Sequence, residues 1–320
     1  MSSSAEEALL RRSPGREAKG TGSHRLSVTK GILPARPPFD FGLTLEFLRR
    51  FEPMAGEQVV AHDSLTKALR MDGRTVVFRV TGANDGQAGV AFALTSDRPL
   101  PAALRRRVQD RIAFFLSLDD DLEPFYRLAK SDPPMAGAVD RFRGLHQVKF
   151  MTPFENTAWA VLAQRVATPV ARRLKLAFVE RYGSSLEVDG RIHWAFPEPD
   201  DLATATEDEL AGVIRNRVRA RALAAVIDAF RTVDEQWLRT ASYDEAESWF
   251  RSIHGVGPWS SSFVLFRGLG RIERLPLTPP MLRAARSMYG AGASDQDIRA
   301  LADRYGEWCG YWSMYSRVGL

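Results

Sequence analysis

The chain has 320 residues, of which 45% are hydrophobic and 26% charged, with a formal net charge of +5 and an isoelectric point of about 9.5. That length accommodates two domains, no apolar run approaches the roughly 20 residues that span a bilayer, and the single cysteine, Cys309, excludes both a disulfide framework and a four-cysteine metal or iron–sulfur site. The basic balance favours a polyanionic partner, and the N-terminus lacks the apolar core of a signal peptide, so the cytoplasm is the expected compartment.

Residues 1–36 are rich in Ser, Gly, Arg and Lys and hold few large apolar side chains. Such a segment buries too little surface to offset its chain entropy, so a disordered basic tail is expected, with loose tethering to a polyanion as its alternative role. Residues 37–117 read as strands followed by a helix. Phe39-Asp40-Phe41 and Leu43-Thr44-Leu45 alternate, Thr75–Val80 and Gly89–Leu94 are short β-rich runs, and Ala83-Asn84-Asp85-Gly86 carries the Asp-Gly pair of a hairpin turn. Leu104–Leu118 has helical periodicity. The prediction is a small antiparallel sheet packed with one helix, carrying no visible chemistry.

From residue 118 to 320 the pattern is helical. Asp119, Asp120 and Asp121 suit a helix N-terminus, where negative charge is favoured, better than a metal site. Phe154, Trp159, Val161, Leu162 and Val166 fit a largely buried helix, and Thr168-Pro169 opens another with Arg172, Arg173 and Lys175 along it. Val188–Ile192 and Pro197–Pro199 read as a connection. Thr206 and Glu209 have capping-box spacing. Asn216 reads as a left-handed helix end, and Arg215, Arg217, Arg219 and Arg221 fall on different helix sides, mostly in solvent. Cys309 has no partner base in sight and reads as a packing residue.

Ser242–Val264 is the most informative stretch. Ser242 and Glu245 form a capping box, and Trp249, Phe250 and Ile253 recur at helical spacing. Gly255-Val256-Gly257 stops that helix, and Pro258 opens the next, because its missing N–H costs nothing at the first helical position. Trp259, Phe263 and Phe266 continue an apolar face. A turn of this kind serves as a plain helix–helix connection. It also suits a phosphate: glycines let an oxygen approach the backbone N–H groups, and the helix N-terminus adds partial positive charge. Such contacts position a protein on nucleic acid without reading its sequence.

Ile253-His254-Gly255-Val256-Gly257-Pro258-Trp259-Ser260, followed by Val264-Leu265-Phe266-Arg267-Gly268-Leu269-Gly270, resembles the helix-hairpin-helix of the base-excision DNA glycosylases, in particular the bacterial 3-methyladenine (alkylation-repair) branch. Leu118–Tyr126 is similar to that family's LD-x-DL-x-PFY run, Arg141–Leu145 to its RFRGL linker, and Tyr305–Ser313 to its closing helix. The likeness covers residues 118–316 well and the front sheet loosely. It implies an α+β protein, with a small N-terminal antiparallel sheet domain (37–117) followed by an all-α helix-hairpin-helix glycosylase domain (118–320) whose hairpin spans 243–266. It also implies a monomer bound to double-stranded DNA in the cytoplasm, associated with the nucleoid and not with a membrane. No cofactor, iron–sulfur cluster or metal is implied, beyond room for a monovalent cation at the hairpin.

Enzymes of this family extrude a nucleotide and cleave its N-glycosidic bond. By resemblance, Gly255, Val256, Gly257, Ser260 and Ser261 hold the DNA backbone. Trp259, Phe263 and Trp159 wall a base pocket whose electron-rich rings attract a cationic alkylated base. Gln164 and Arg165 meet the gap left in the duplex. Bifunctional relatives carry a lysine at the position of Trp259; tryptophan forms no Schiff base, so lyase chemistry by that route is not expected. The family's catalytic Asp, in runs such as P-x-G-D-x-x-L-R, falls on Pro279, and no acid occurs from Leu275 to Leu282. Thr278 is a weak neutral candidate, and Glu273, Asp295 and Asp297 flank the gap at other spacings. Two functions follow. One is a monofunctional glycosylase for alkylated bases with an altered catalytic group. The other is a DNA-binding or lesion-recognition protein on the same fold that leaves the bond intact.

Overall fold

The computed structural model describes residues 26–83, 87–274 and 277–318. Its front part is one antiparallel sheet built from β1 (Ser27–Pro34), β2 (Gln58–Val60), β3 (Ser64–Met71), β4 (Arg74–Gly82) and β5 (Gly89–Ser96), in the order β1-β5-β4-β3-β2. β3 and β4 join through Asp72 and Gly73, both at positive φ (51° and 67°), which is the two-residue turn that Asp-Gly favours. Helix α2 (Ala102–Leu116) covers the sheet, burying Val108, Ile112 and Phe115 against Val76, Phe78 and Leu94.

Two expectations for this region are corrected. Residues 27–34, placed in the disordered tail, form edge strand β1, paired in register from Ser27↔Ser96 to Pro34↔Gly89. Its partner strand supplies the backbone hydrogen bonds that composition alone does not register, and its side chains alternate between half-buried and exposed. Residues 1–25 and the Asn84-Asp85-Gly86 turn lie outside the described residues. Phe41–Arg50, read as strand, is helix α1: Asp40 caps it by accepting from the Leu43 N–H (3.0 Å), and Phe41, Thr44, Leu45 and Leu48 are buried at i, i+3, i+4, i+7 spacing. The short alternation over 39–45 masked that longer period.

The helices that follow are α3 (Glu123–Ala129), α4 (Pro133–Phe142), α5 (Pro153–Leu162), α6 (Thr168–Tyr182), α7 (Glu207–Ile214), α8 (Arg217–Phe230), α9 (Glu235–Thr240), α10 (Tyr243–Ser252), α11 (Pro258–Leu269), α12 (Pro279–Tyr289), α13 (Asp295–Asp303) and α14 (Cys309–Val318). α5 is buried along its whole length and packs on α11. A second apolar cluster joins α3, α4, α12, α13 and α14. Between α6 and α7 the expected connection is a hairpin, β6 (Ser184–Val188) and β7 (Arg191–Ala195), turned by Asp189 and Gly190 at φ 51° and 74°. Asn216 does not end α7 in a left-handed turn. Arg215 takes that conformation (φ 54°), and the Asn216 side chain caps α8 by accepting from the Arg219 N–H (2.9 Å), a role for which Asn is well suited.

Sheet and helices are locked together by buried charge. Lys175 on α6 donates to Glu155 on α5 (2.7 Å) and to Glu57 before β2 (2.9 Å), and Lys67 on β3 donates to Glu57 (3.4 Å). All four side chains are buried, Lys175 included, although it lies along the same helix as Arg172 and Arg173.

Candidate functional site

The hairpin forms as its residues dictate. α10 ends at Ser252, and Gly255 turns the chain at φ +85°. A Cβ at Gly255 would stand 2.3 Å from the Ala222 Cβ on α8, so both backbone conformation and packing demand glycine there. Gly257 differs: it is the N-cap of α11 at an ordinary φ of −94°, and a Cβ there would meet nothing within 4 Å. Pro258 follows as the first helical residue. The first turn of α11 therefore leaves the N–H groups of Gly257, Trp259 and Ser260 without intrahelical acceptors. Gly255 is exposed and Gly257 half-buried.

Other expected contacts are already engaged within the protein. The Val256 side chain is buried, and its N–H donates to the Ile253 carbonyl (3.0 Å). The Ser261 N–H donates to the Gly257 carbonyl (2.9 Å) and its hydroxyl to the Pro258 carbonyl (2.9 Å). Val256 and Ser261 thus lack free backbone donors, and Ser260 offers its N–H but not its buried side chain. Gln164 is not a free wedge: its Nε2 donates to the Gly255 carbonyl (2.7 Å), and its own carbonyl accepts from Arg219 Nη2 (2.6 Å). These bonds brace the hairpin. Arg165 next to it is exposed and held at φ 53°, a conformation uncommon for arginine.

Beside the hairpin opens a cavity of about 610 Å³. Trp259, 47% exposed, stacks on Phe263 with ring centroids 5.2 Å apart and planes 7° off parallel. Trp159 from α5 and Thr278 and Met281 from the start of α12 line the same space. So do Phe47 and Phe51 from α1 and its end, so the front domain is part of the site despite its chemically silent sequence.

Arg267 shares the helix face of Trp259 and Phe263, at successive i+4 positions, and completes this wall. Its guanidinium lies 4.6 Å from the Phe51 ring centroid and 5.0 Å from that of Phe47. Its Nη2 is buried without a hydrogen-bond partner among the described residues. Burial pushes its pKa down to about 9, and the positive charge of Arg317 adds to the shift. The other charged lining residues, Glu46, Arg50, Glu52 and Arg317, are exposed. A cation stacked on these rings would gain about 0.5–2 kcal/mol.

No described carboxylate from the region after the hairpin lines the cavity. Glu273 is paired with Arg271 (2.6 Å), Asp295 with Arg286, and Asp297 caps α13 through Ser294. Pro279 is exposed as the first residue of α12 and does not line the cavity; Thr278, the N-cap, does, and its hydroxyl makes no capping bond. Thr278, rather than Pro279, is thus the position that faces the cavity.

No family model matches the chain. DNA-3-methyladenine glycosylase of Bacillus subtilis is 28% identical over 287 residues, covering 87% of this chain and 92% of that protein. Among solved structures, 3-methyladenine DNA glycosylase from Archaeoglobus fulgidus superposes with a TM-score of 0.74 at 21% identity, over 91% of this chain and 97% of that one. The Clostridium acetobutylicum 8-oxoguanine glycosylase/lyase in complex with double-stranded DNA superposes at 0.58 and 17% identity, over 81% and 96%. The two structures share the fold, an N-terminal antiparallel sheet followed by helices. The braced Gly-x-Gly-Pro turn and the sequence likeness along nearly the whole chain support the resemblance to the helix-hairpin-helix base-excision DNA glycosylase superfamily and its bacterial 3-methyladenine (alkylation-repair) branch.

Proposed function

We propose that this protein acts in DNA repair as a monofunctional DNA glycosylase that extrudes a damaged, alkylated base from duplex DNA and releases it, with an altered catalytic group. One observation carries the reading. The bare N-terminus of α11 and the stacked Trp259–Phe263 pair belong to the same helix, so a strand held at the turn has its base slot one helical turn away. The N–H groups of Gly257, Trp259 and Ser260 take a phosphate, Trp259, Phe263 and Trp159 take the base, and exposed Arg165 enters the gap in the duplex. Thr278 holds the attacking water at the cavity edge. The protein works as a cytoplasmic, nucleoid-associated monomer without a resident metal. A cation at the hairpin would share the Ile253 and Gly255 carbonyls with the hydrogen bonds they already accept, and no step here depends on it.

A second reading rests on the missing buried carboxylate: a lesion-recognition protein that binds but does not cut. Single-turnover base release from methylated duplex DNA separates the two. Release above the rate without protein supports the glycosylase; tight duplex binding with release at the background rate leaves the recognition protein. Duplex affinity should also fall with salt, by roughly 0.9 log units per tenfold change for each phosphate engaged. An affinity indifferent to salt would remove both readings.

The two hairpin glycines give a sharper check. Gly255→Ala meets Ala222 and should cost both thermal stability and DNA affinity. Gly257→Ala has room in the free protein, so it should leave the melting temperature unchanged while weakening duplex binding about tenfold, because a methyl group then blocks the approach of a phosphate. Equal loss of stability in both variants would contradict this assignment.

A further inference from the structure

We propose that Glu46, from the front domain, supplies the anion that stabilises the sugar during base release, in place of the acid that the region after the hairpin lacks. The inference rests on the base-extrusion reading and assigns a catalytic residue to the same site. Leu43, Glu46, Phe47, Arg50 and Phe51 line the cavity at i, i+3, i+4, i+7 and i+8 spacing, so one face of α1 and its end forms a wall. Within that wall the Phe47 and Phe51 rings stack with centroids 5.3 Å apart. The described lining holds two carboxylates, Glu46 and Glu52. Glu52 is paired with Arg172 (2.7 Å). Glu46 is exposed and makes no hydrogen bond or ion pair among the described residues, Arg50 one turn further on included, so nothing in the fold engages its charge. The rest of the charged lining is Arg50, Arg267 and Arg317. Without Glu46, positive charge developing on a sugar would meet three arginines and one carboxylate already engaged.

The step balances for a cationic alkylated base. As the C1′–N bond breaks, its electron pair leaves with the base, which departs neutral, and positive charge builds on C1′ and the ring oxygen. The Glu46 carboxylate opposes that charge. The water held by Thr278 adds its oxygen to C1′, and its spare proton passes to Glu46 and then to solvent. In the free protein, water screens the carboxylate. A nucleotide turned into the cavity displaces that water, and the attraction strengthens as the local dielectric falls. A charge at the rim contributes less than one enclosed in the wall, which leaves room for a further gain from an acid at Thr278.

The test pairs two measurements on the full chain. One is single-turnover release of 7-methylguanine from duplex DNA. The other is equilibrium affinity for two duplexes with an abasic analogue at one position, either a neutral tetrahydrofuran or a cationic pyrrolidine that mimics the charged sugar of the transition state. The native protein should release the base above background and bind the pyrrolidine duplex more tightly than the tetrahydrofuran one. Glu46→Gln, at an exposed position, should fold as the native chain does. It should slow release by about 10–100-fold, less than the loss of an enclosed charge-stabilising group, and lose the preference for pyrrolidine while binding tetrahydrofuran as before. Unchanged release and preference in Glu46→Gln overturn the inference and leave the glycosylase standing. Equal weakening on both analogues marks Glu46 as a duplex-binding group and overturns it too, as does an equal loss from Glu52→Gln, which would point to overall charge. Release at the background rate by the native protein overturns the glycosylase reading and the inference with it.

Discussion

Thr278→Asp should release bases from alkylated duplex DNA about 10²–10³-fold faster than the native protein in single turnover, the effect of one well-placed charge-stabilising group, or about 2.7–4 kcal/mol of barrier. Thr278 is the N-cap of α12 and lines the cavity, whereas the motif spacing puts the catalytic position on Pro279, which is exposed and outside the lining. Aspartate is also a favoured N-cap, here able to accept from the Met281 N–H, the first that α12 offers after Pro279 and Pro280, and the present hydroxyl makes no such bond. The variant should therefore fold at least as well as the native chain. Pro279→Asp places its carboxylate away from the cavity and should gain little. Equal gains from the two variants would contradict the placement of α12. No gain from either would favour the recognition protein over the glycosylase.

Lys175→Met should lower unfolding free energy by about 3–5 kcal/mol, read from urea denaturation, because it leaves Glu57 and Glu155 buried without their main counter-charge. Replacing all the charged partners together is far less costly than removing one, so a quadruple variant in which both glutamates also become Gln and Lys67 becomes Met should recover much of the loss. The pair has a pH signature. Burial pushes the Glu155 carboxyl up, but the Lys175 and Lys67 ammonium groups outweigh it and hold the carboxyl below its ordinary value of 4.5. A carboxyl depressed in the folded state contributes stability above its unfolded pKa and loses it as pH falls through the folded one. Native stability should therefore decline on the acid side of about pH 4.5, and Lys175→Met should flatten that limb. A variant with unchanged stability would contradict the lock between sheet and helices.

The hairpin was legible in the sequence because each of its signals is local. The Ser242–Glu245 capping box, Gly255 at positive φ and Pro258 at the first helical turn all appear where the pattern placed them. The stacked Trp259–Phe263 pair follows from i, i+4 spacing. Legibility failed where long-range contacts decide. β1 looked like tail because its partner β5 lies far along the chain. α1 looked like strand over seven residues, which hid Phe47 and Phe51 from the cavity they line. Asp72-Gly73 and Asp189-Gly190 are local turn signals in the sequence, and both turn their hairpins at positive φ. Arg267 appeared only as one position of a motif, since neither its burial nor its unpaired Nη2 has any signature in composition or spacing.

A crystal structure of the protein on a duplex carrying a stable abasic analogue measures the central arrangement directly. It should show a phosphate within hydrogen-bond reach of the Gly257, Trp259 and Ser260 N–H groups, with the analogue's sugar turned out at the mouth of the cavity walled by Trp259 and Phe263. A duplex lying across another face of the molecule, with the α11 N-terminus in solvent and the analogue still stacked in the helix, would contradict it.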